Sequence, residues 1–192
     1  MKIFFRYDAE PRRFAHNLVR VFLLILLAGL MSALWSCKST PPQTREIYPP
    51  SPFHGIAFRS LDDLAKAALA ALNDSSFSEL DVLRVVDIEY REEIWTRIPV
   101  QEKANIDVET AWNWVDRDSQ KAMRRVLDDY GKQDLKFKRV YIRKETRDFP
   151  MISIKYGVRI VAEDKAGEEQ DIELMNVVGE VDGWYRVIAF DV

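Results

Sequence analysis

Side chains able to do chemistry near neutral pH are scarce in this chain. Its one cysteine is Cys37, and its two histidines are His16 and His54. Residues 57–192 therefore hold no imidazole for general acid–base work and no thiol. That excludes Cys-His nucleophiles and the common zinc sites from this stretch. A carboxylate-only metal site is open in principle. The acidic pairs Asp62-Asp63, Asp128-Asp129 and Glu168-Glu169, however, fall at predicted helix starts, helix ends or turns, where solvated charge explains them. The glycines are isolated, so no loop is built to cradle a phosphate. No metal and no cofactor is expected.

What remains is aromatic and cationic. Trp95, Trp112, Trp114 and Trp184 fall in predicted helices or a strand. Trp112 shares a helical face with Val108 and Val115, which marks it as core. Trp114 lies two residues on, about 200° round the helix, and points elsewhere. An indole off the core face reads as a groove or a partner surface, so Trp114, with Trp95 and Tyr156, forms the candidate ligand or partner surface. Arg139, Arg143 and Arg159 fall on one sheet face with Glu173 opposite Arg159, and cross-strand ion pairs account for them.

Cys37 belongs to a different setting. Five basic residues, Lys2 to Arg20, stand against Asp8 and Glu10, and Val21 to Trp35 is then almost unbroken hydrocarbon. A basic segment, an apolar run and a small residue at the end read as an export signal. A retained membrane span is the competing reading. A span needs about 20 apolar residues, however, and Arg20 shortens this run to about 15, so Arg20 would have to snorkel. The ending Leu34-Trp35-Ser36-Cys37 resembles the lipobox of bacterial lipoproteins, with Leu34 three before the cysteine and Ser36 one before. Trp35 departs from the usual small or aliphatic residue. The resemblance implies cleavage after Ser36, acylation of Cys37 and attachment to a bilayer, where several acyl chains anchor firmly. Lys38 after the cysteine, by the same resemblance, favours the periplasmic face of an outer membrane over the inner membrane. An unpaired cysteine in an exported protein is explained at the same stroke.

Residues 1–36 are thus the expected signal peptide. Without them 23 Lys+Arg stand against 29 Asp+Glu, a net charge of −6, which offers no electrostatic reason to bind nucleic acid. Residues 37–56 carry Pro41, Pro42, Pro49, Pro50 and Pro52 among polar residues and read as a semi-rigid tether. Residues 57–192 are one domain of ordinary size.

Within that domain the order is helices, then strands. Ser60 and Asp63 open a helix whose apolar positions run from Leu61 to Leu72, and Ser78 with Asp81 repeats the start signal. Ile88 to Ile98 reads as a third helix stopped by Pro99, and Asp107 caps the longest one, which Gly131 ends. After Gly131 the apolar period changes from 3.6 to 2. Four strands are predicted: Leu135 to Glu145, Met151 to Ala162, Gln170 to Val181 and Trp184 to Phe190, with Asp182-Gly183 as a hairpin turn. The fold class is α+β, with N-terminal helices packed on a curved four-stranded antiparallel meander.

This order, with the closing run Val181-Asp182-Gly183-Trp184-Tyr185-Arg186-Val187, resembles the NTF2-like superfamily that includes SnoaL and ketosteroid isomerase. The resemblance implies a cone with a ligand at its mouth. A cystatin-like sandwich of helix on meander, without a cavity, is the competing fold. Enzymatic members imply an Asp base beside a Tyr donor in an apolar site. Tyr90, Tyr141 and Tyr156 could donate, but no acid matches the catalytic position, so no catalytic residue is assigned. Three functions follow in order of preference. The first is an anchored lipoprotein whose non-catalytic domain binds an envelope protein or a small apolar ligand. The second is a SnoaL-type enzyme using carboxylate and tyrosine, and the third is an assembly protein acting as a homodimer.

Overall fold

A computed structural model describes residues 49–103 and 105–190, all within one compact unit, Tyr48–Val192. The signal, Leu34, Ser36 and Cys37 lie outside the described residues. Helix α1 (Leu61–Asn73) begins where Ser60, in extended conformation, accepts the Asp63 amide at 3.0 Å. It buries Leu64, Ala65, Ala68, Leu69, Ala71 and Leu72 along one stripe. Helix α2 (Phe77–Asp81) starts two residues before the expected signal, because Ser76 rather than Ser78 caps it through the Glu79 amide. Helix α3 (Asp87–Glu89) runs directly into a π-helical stretch, Tyr90–Trp95, in place of one regular helix. A 3-10 turn (Val100–Glu102) follows Pro99. Helix α4 (Val108–Tyr130) is capped by Asp107, whose Oδ1 accepts the Thr110 amide at 2.8 Å.

The four expected strands are seven, in two antiparallel sheets. They are β1 (Lys136–Ile142), β2 (Thr146–Phe149), β3 (Ile152–Tyr156), β4 (Val158–Glu163), β5 (Glu169–Ile172), β6 (Val177–Val181) and β7 (Trp184–Ala189). One sheet has the order β1-β4-β5 and the other β2-β3-β6-β7. The second and third predicted strands each break once, the first ends at Ile142 with β2 lying beyond its predicted end at Glu145, and the three corners line up. Gly157, at φ +68, turns the chain between β3 and β4, a conformation that side-chain-bearing residues rarely adopt. Its amide and that of Val158 both donate to the Asn176 carbonyl, at 2.7 and 3.4 Å, and Lys144 donates its amide to Tyr156. Lys144, Gly157 and Asn176 thus form a corner. Alternating apolar residues carried no sign of it, because the period of 2 continues through the bend.

Strand alternation places two cores on the two faces of the second sheet. Val178, Val187 and partly buried Tyr185 pack with α1, with Ala122, Met123 and Val126 of α4, and with Val158, Ile160, Ala162 and Ile172 of the first sheet. Ile152, Ile154, Val181 and Ile188 pack instead with Val85, Tyr90, Ile94 and Ala111. Each fully buried aliphatic side chain contributes about 1.5–3 kcal/mol, so both faces hold the sheet. Among the described residues no helix is long and apolar enough to cross a membrane.

Residues 49–56, expected in the tether, belong to the folded unit. Phe53 is buried in the second core. The Pro49 carbonyl accepts from Trp184 Nε1 at 3.1 Å and Arg59 Nη2 at 2.8 Å, and Phe58 exchanges two backbone bonds with Tyr185. Beneath this segment lies an ion pair shut away from solvent. Arg186 of β7 is 2 % exposed and Glu89 0 %, with Nη2 and Oε2 3.3 Å apart. Glu89 accepts the amides of Gly55 (2.8 Å) and Val86 (3.0 Å), while Arg186 donates to the carbonyls of Ile56 (2.8 Å) and Arg84 (2.6 Å). A Cβ on Gly55 would lie 2.7 Å from Arg186 Cζ, which is why the position is glycine. Glu89→Ala leaves a buried guanidinium without its anion and should cost about 3–5 kcal/mol, read as a lower urea midpoint. Combining Glu89→Leu with Arg186→Met removes both charges but takes the bonding partner from the amides of Gly55 and Val86 and the carbonyls of Ile56 and Arg84, so it should recover only part of the loss. A midpoint unchanged in Glu89→Ala would mean the pair is solvated.

Candidate functional site

Trp112 and Trp114 diverge as the helical spacing requires. The Trp112 ring lies 5.4 Å from that of Tyr90, inside the second core, whereas Trp114 is 49 % exposed. Trp114 stands over an open groove of about 190 Å³ between α4 and the second sheet. Val115 and Asp118 flank it on the helix, and Asn176, Val177, Ala189 and Phe190 form the opposite wall. Ser119, fully buried on α4, accepts the Phe190 amide at 3.1 Å and fixes the end of β7 against the helix. At the corner, Lys144 Nζ donates to Asn176 Oδ1 at 3.5 Å. The groove is therefore open and mostly apolar, with the Asn176 amide as a polar group in its wall.

Trp95 and Tyr156 sit behind this groove rather than in it. Val115 and Val177, which line the groove, also pack on the core cluster that holds Trp95 and Tyr156. Tyr156 pairs with Val177 across β3–β6. Trp95 lies 6.1 Å from Tyr90 with Lys103 5.0 Å over its ring, and Arg147 lies 5.4 Å over Tyr156. Tyr90, Trp95 and Trp112 occupy the space between the helices and the second sheet. Burial, with Tyr156 nearby, pushes the Tyr90 phenol up to about 12. The buried acid next to this cluster, Glu89, is committed to Arg186 and two amides.

Tyrosine–carboxylate contacts occur elsewhere, and neither resembles an acid–base site. On the solvent face of the first sheet, Tyr141 donates to Asp171 at 2.7 Å, and Arg159 reaches Asp171 and Glu173 at 2.8 and 2.7 Å. Burial pushes Asp171 up, but the Tyr141 hydroxyl and the Arg159 guanidinium outweigh it and hold the carboxyl below its ordinary range. Arg139 pairs with Glu169 and Lys138 with Glu163 on the same sheet. On the second sheet Lys155 donates to Glu180 at 2.5 Å and to Ser153 at 3.2 Å. Ser153 thus faces a donor, not a base that could take its proton. Burial, and then a hydrogen bond to Glu180, push Tyr185 up to about 12. No group of three metal-ligating side chains occurs among the described residues.

Reasoning from sequence placed Trp114 at a surface and paired Arg159 with Glu173. Asn176, Lys144 and the Glu89–Arg186 pair escaped it. Glu89 carries no local signal of its burial, and the one available hint is Arg186, which stands on β7 between partly buried Tyr185 and buried Val187. Comparison with family models, with curated proteins and with solved structures finds no match to this chain.

The phenols give a test of the filled core. A pKa raised by folding stabilises the fold below the unfolded value near 10 and withdraws that stability as pH rises through the folded value. Tyr90 and Tyr185 should therefore ionise near pH 12, after the exposed tyrosines, with unfolding in the same range. In a tyrosinate absorbance titration Tyr90→Phe should remove one phenol from the late phase. Loss of an early phenol instead would place Tyr90 in an open cavity.

Proposed function

We propose that this chain is an exported lipoprotein, held to a bilayer through acylated Cys37, whose domain binds a partner non-catalytically at the Trp114 groove. The observation that carries the binding half is the exposed indole over an open, mostly apolar groove, beside a core where an enzyme of the SnoaL type would need its cavity. Leaving an indole half in water forgoes burial worth a few kcal/mol. Aromatic anchors over preformed pockets are typical of binding hot spots. The anchoring half is supported by the Leu34-Trp35-Ser36-Cys37 ending and the proline-rich stretch after it.

An NTF2-like arrangement belongs to the same proposal. It is supported by the way residues 136–149 pair with residues 152–163 in both sheets, and these in turn with residues 169–181. That is a bent surface with the long helix α4 against it. The ligand expected at the groove is an apolar segment of an envelope protein or a small apolar molecule, reading a flat ring on Trp114 and the polar amide of Asn176.

Native mass spectrometry of the protein extracted from its own membrane in mild detergent tests both halves. A chain beginning at Cys37 with added acyl mass is expected, together with a retained partner or ligand. Trp114→Ala should leave the unfolding midpoint within about 0.5 kcal/mol of the parent, as for other exposed sites, while weakening retention at least tenfold. An unacylated Cys37 would end the anchoring reading. Equal retention by the Trp114→Ala chain would end the groove reading.

A further inference from the structure

A second apolar surface lies on the opposite side of the Glu89 carboxylate from the core. The two oxygens of Glu89 accept from Gly55 and Val86, and the two terminal nitrogens of Arg186 reach the carbonyls of Ile56 and Arg84. Those four bonds force the backbones of residues 55–56 and 84–86 side by side. Ile56, Val86 and, in the first turn of α3, Ile88 are each about half exposed there, and Val82 at the end of α2 is too. These are branched aliphatic side chains, rigidly presented, with nothing in the domain over them. Of the neighbouring acids, Asp87 pairs with Arg91 and Asp81 with Arg84, both at 2.7 Å.

The occupant is indicated by where this surface stands along the chain. Two residues before Arg186 on the same face of β7, Trp184 donates to the Pro49 carbonyl and carries the Arg59 guanidinium 3.3 Å over its ring. Pro49 is only 12 residues beyond Cys37, a span that stretches to roughly 40 Å at most. A chain anchored at Cys37 therefore keeps Pro49, and the aliphatic surface a few residues further on, permanently within reach of the bilayer at high effective concentration. Tryptophan with arginine suits the headgroup region, and branched aliphatics suit the acyl boundary below it. We infer that Ile56, Val82, Val86 and Ile88 form a bilayer-contacting face that lays the domain on the membrane and leaves the Trp114 groove for its partner. The inference rests on the anchoring reading above.

The acylated full chain provides its own test, because a thioether at Cys37 leaves no free thiol. Ile88→Cys and, as a remote control, Lys132→Cys are each labelled with an environment-sensitive fluorophore. They are reconstituted in phosphatidylethanolamine–phosphatidylglycerol vesicles with and without brominated acyl chains. A blue-shifted emission at position 88, quenched at least threefold more by brominated lipid than at position 132, is expected. Membrane-bound protein with equal quenching at the two positions would overturn the face while leaving the anchor intact. So would a label at position 88 that is shielded from water but untouched by brominated lipid, since a second copy or another protein would then cover it. A chain that does not float with the vesicles and takes up label at Cys37 would overturn the anchor and the face together.

Discussion

The buried contact between Glu89 and Arg186 is the constraint on which much else depends. It gathers three stretches that are distant in sequence: residues 55–56, residues 84–89 between α2 and the π-helical turn, and the last strand. Taking both charges out of water is costly, and the attraction between them repays it only when the remaining hydrogen-bonding capacity is met. Here two amides and two carbonyls, none paired within regular structure, meet nearly all of it. Arg186 Nε alone lacks a partner. Burial pulls the Arg186 guanidinium below its ordinary value while Glu89 pushes it back up. The pair adds specificity of placement more than net stability. No apolar pair could align these stretches of backbone in this way.

From that clasp the two surfaces of the molecule follow. The π-helical turn begins at Tyr90, the residue after Glu89, and a wider turn there directs both Tyr90 and Ile94 into the second core. The aromatic rings of Tyr90, Trp95 and Trp112 then pack in the space between α4 and the sheet. On the first sheet the arginines and carboxylates pair with one another: Arg139 with Glu169, and Arg159 with Asp171 and Glu173.

Local signals carried the helices. Ser60 and Asp107 cap α1 and α4 because a short acceptor before an apolar period needs no information beyond its own turn. The α2 boundary moved by two residues because Ser76 and Ser78 are equally good caps in isolation and the approach to α1 chooses between them. The strands were legible as strands, yet their breaks were not. Bending at Lys144, Gly157 and Asn176 serves to wrap two sheets round common helices, and that advantage exists only once all three stretches are paired. The spacer was misjudged for the same reason: Pro49 and Phe53 acquire partners only from β7 and the second core.

Composition and spacing by themselves determined that residues 57–192 carry no histidine or cysteine, the order of helices before strands, and the divergence of Trp112 from Trp114. These depend on residue type and on periods within a single element, which the chain carries wherever it goes. Tertiary structure alone decided that a glutamate and an arginine 97 residues apart share one dry site. It also decided that Tyr90, Trp95 and Trp112 pack together, and that Trp114 stands over a groove rather than over flat surface. Long-range contacts of this kind hinge on which segments meet, and desolvation and packing give an energy to that meeting only after the fold has closed.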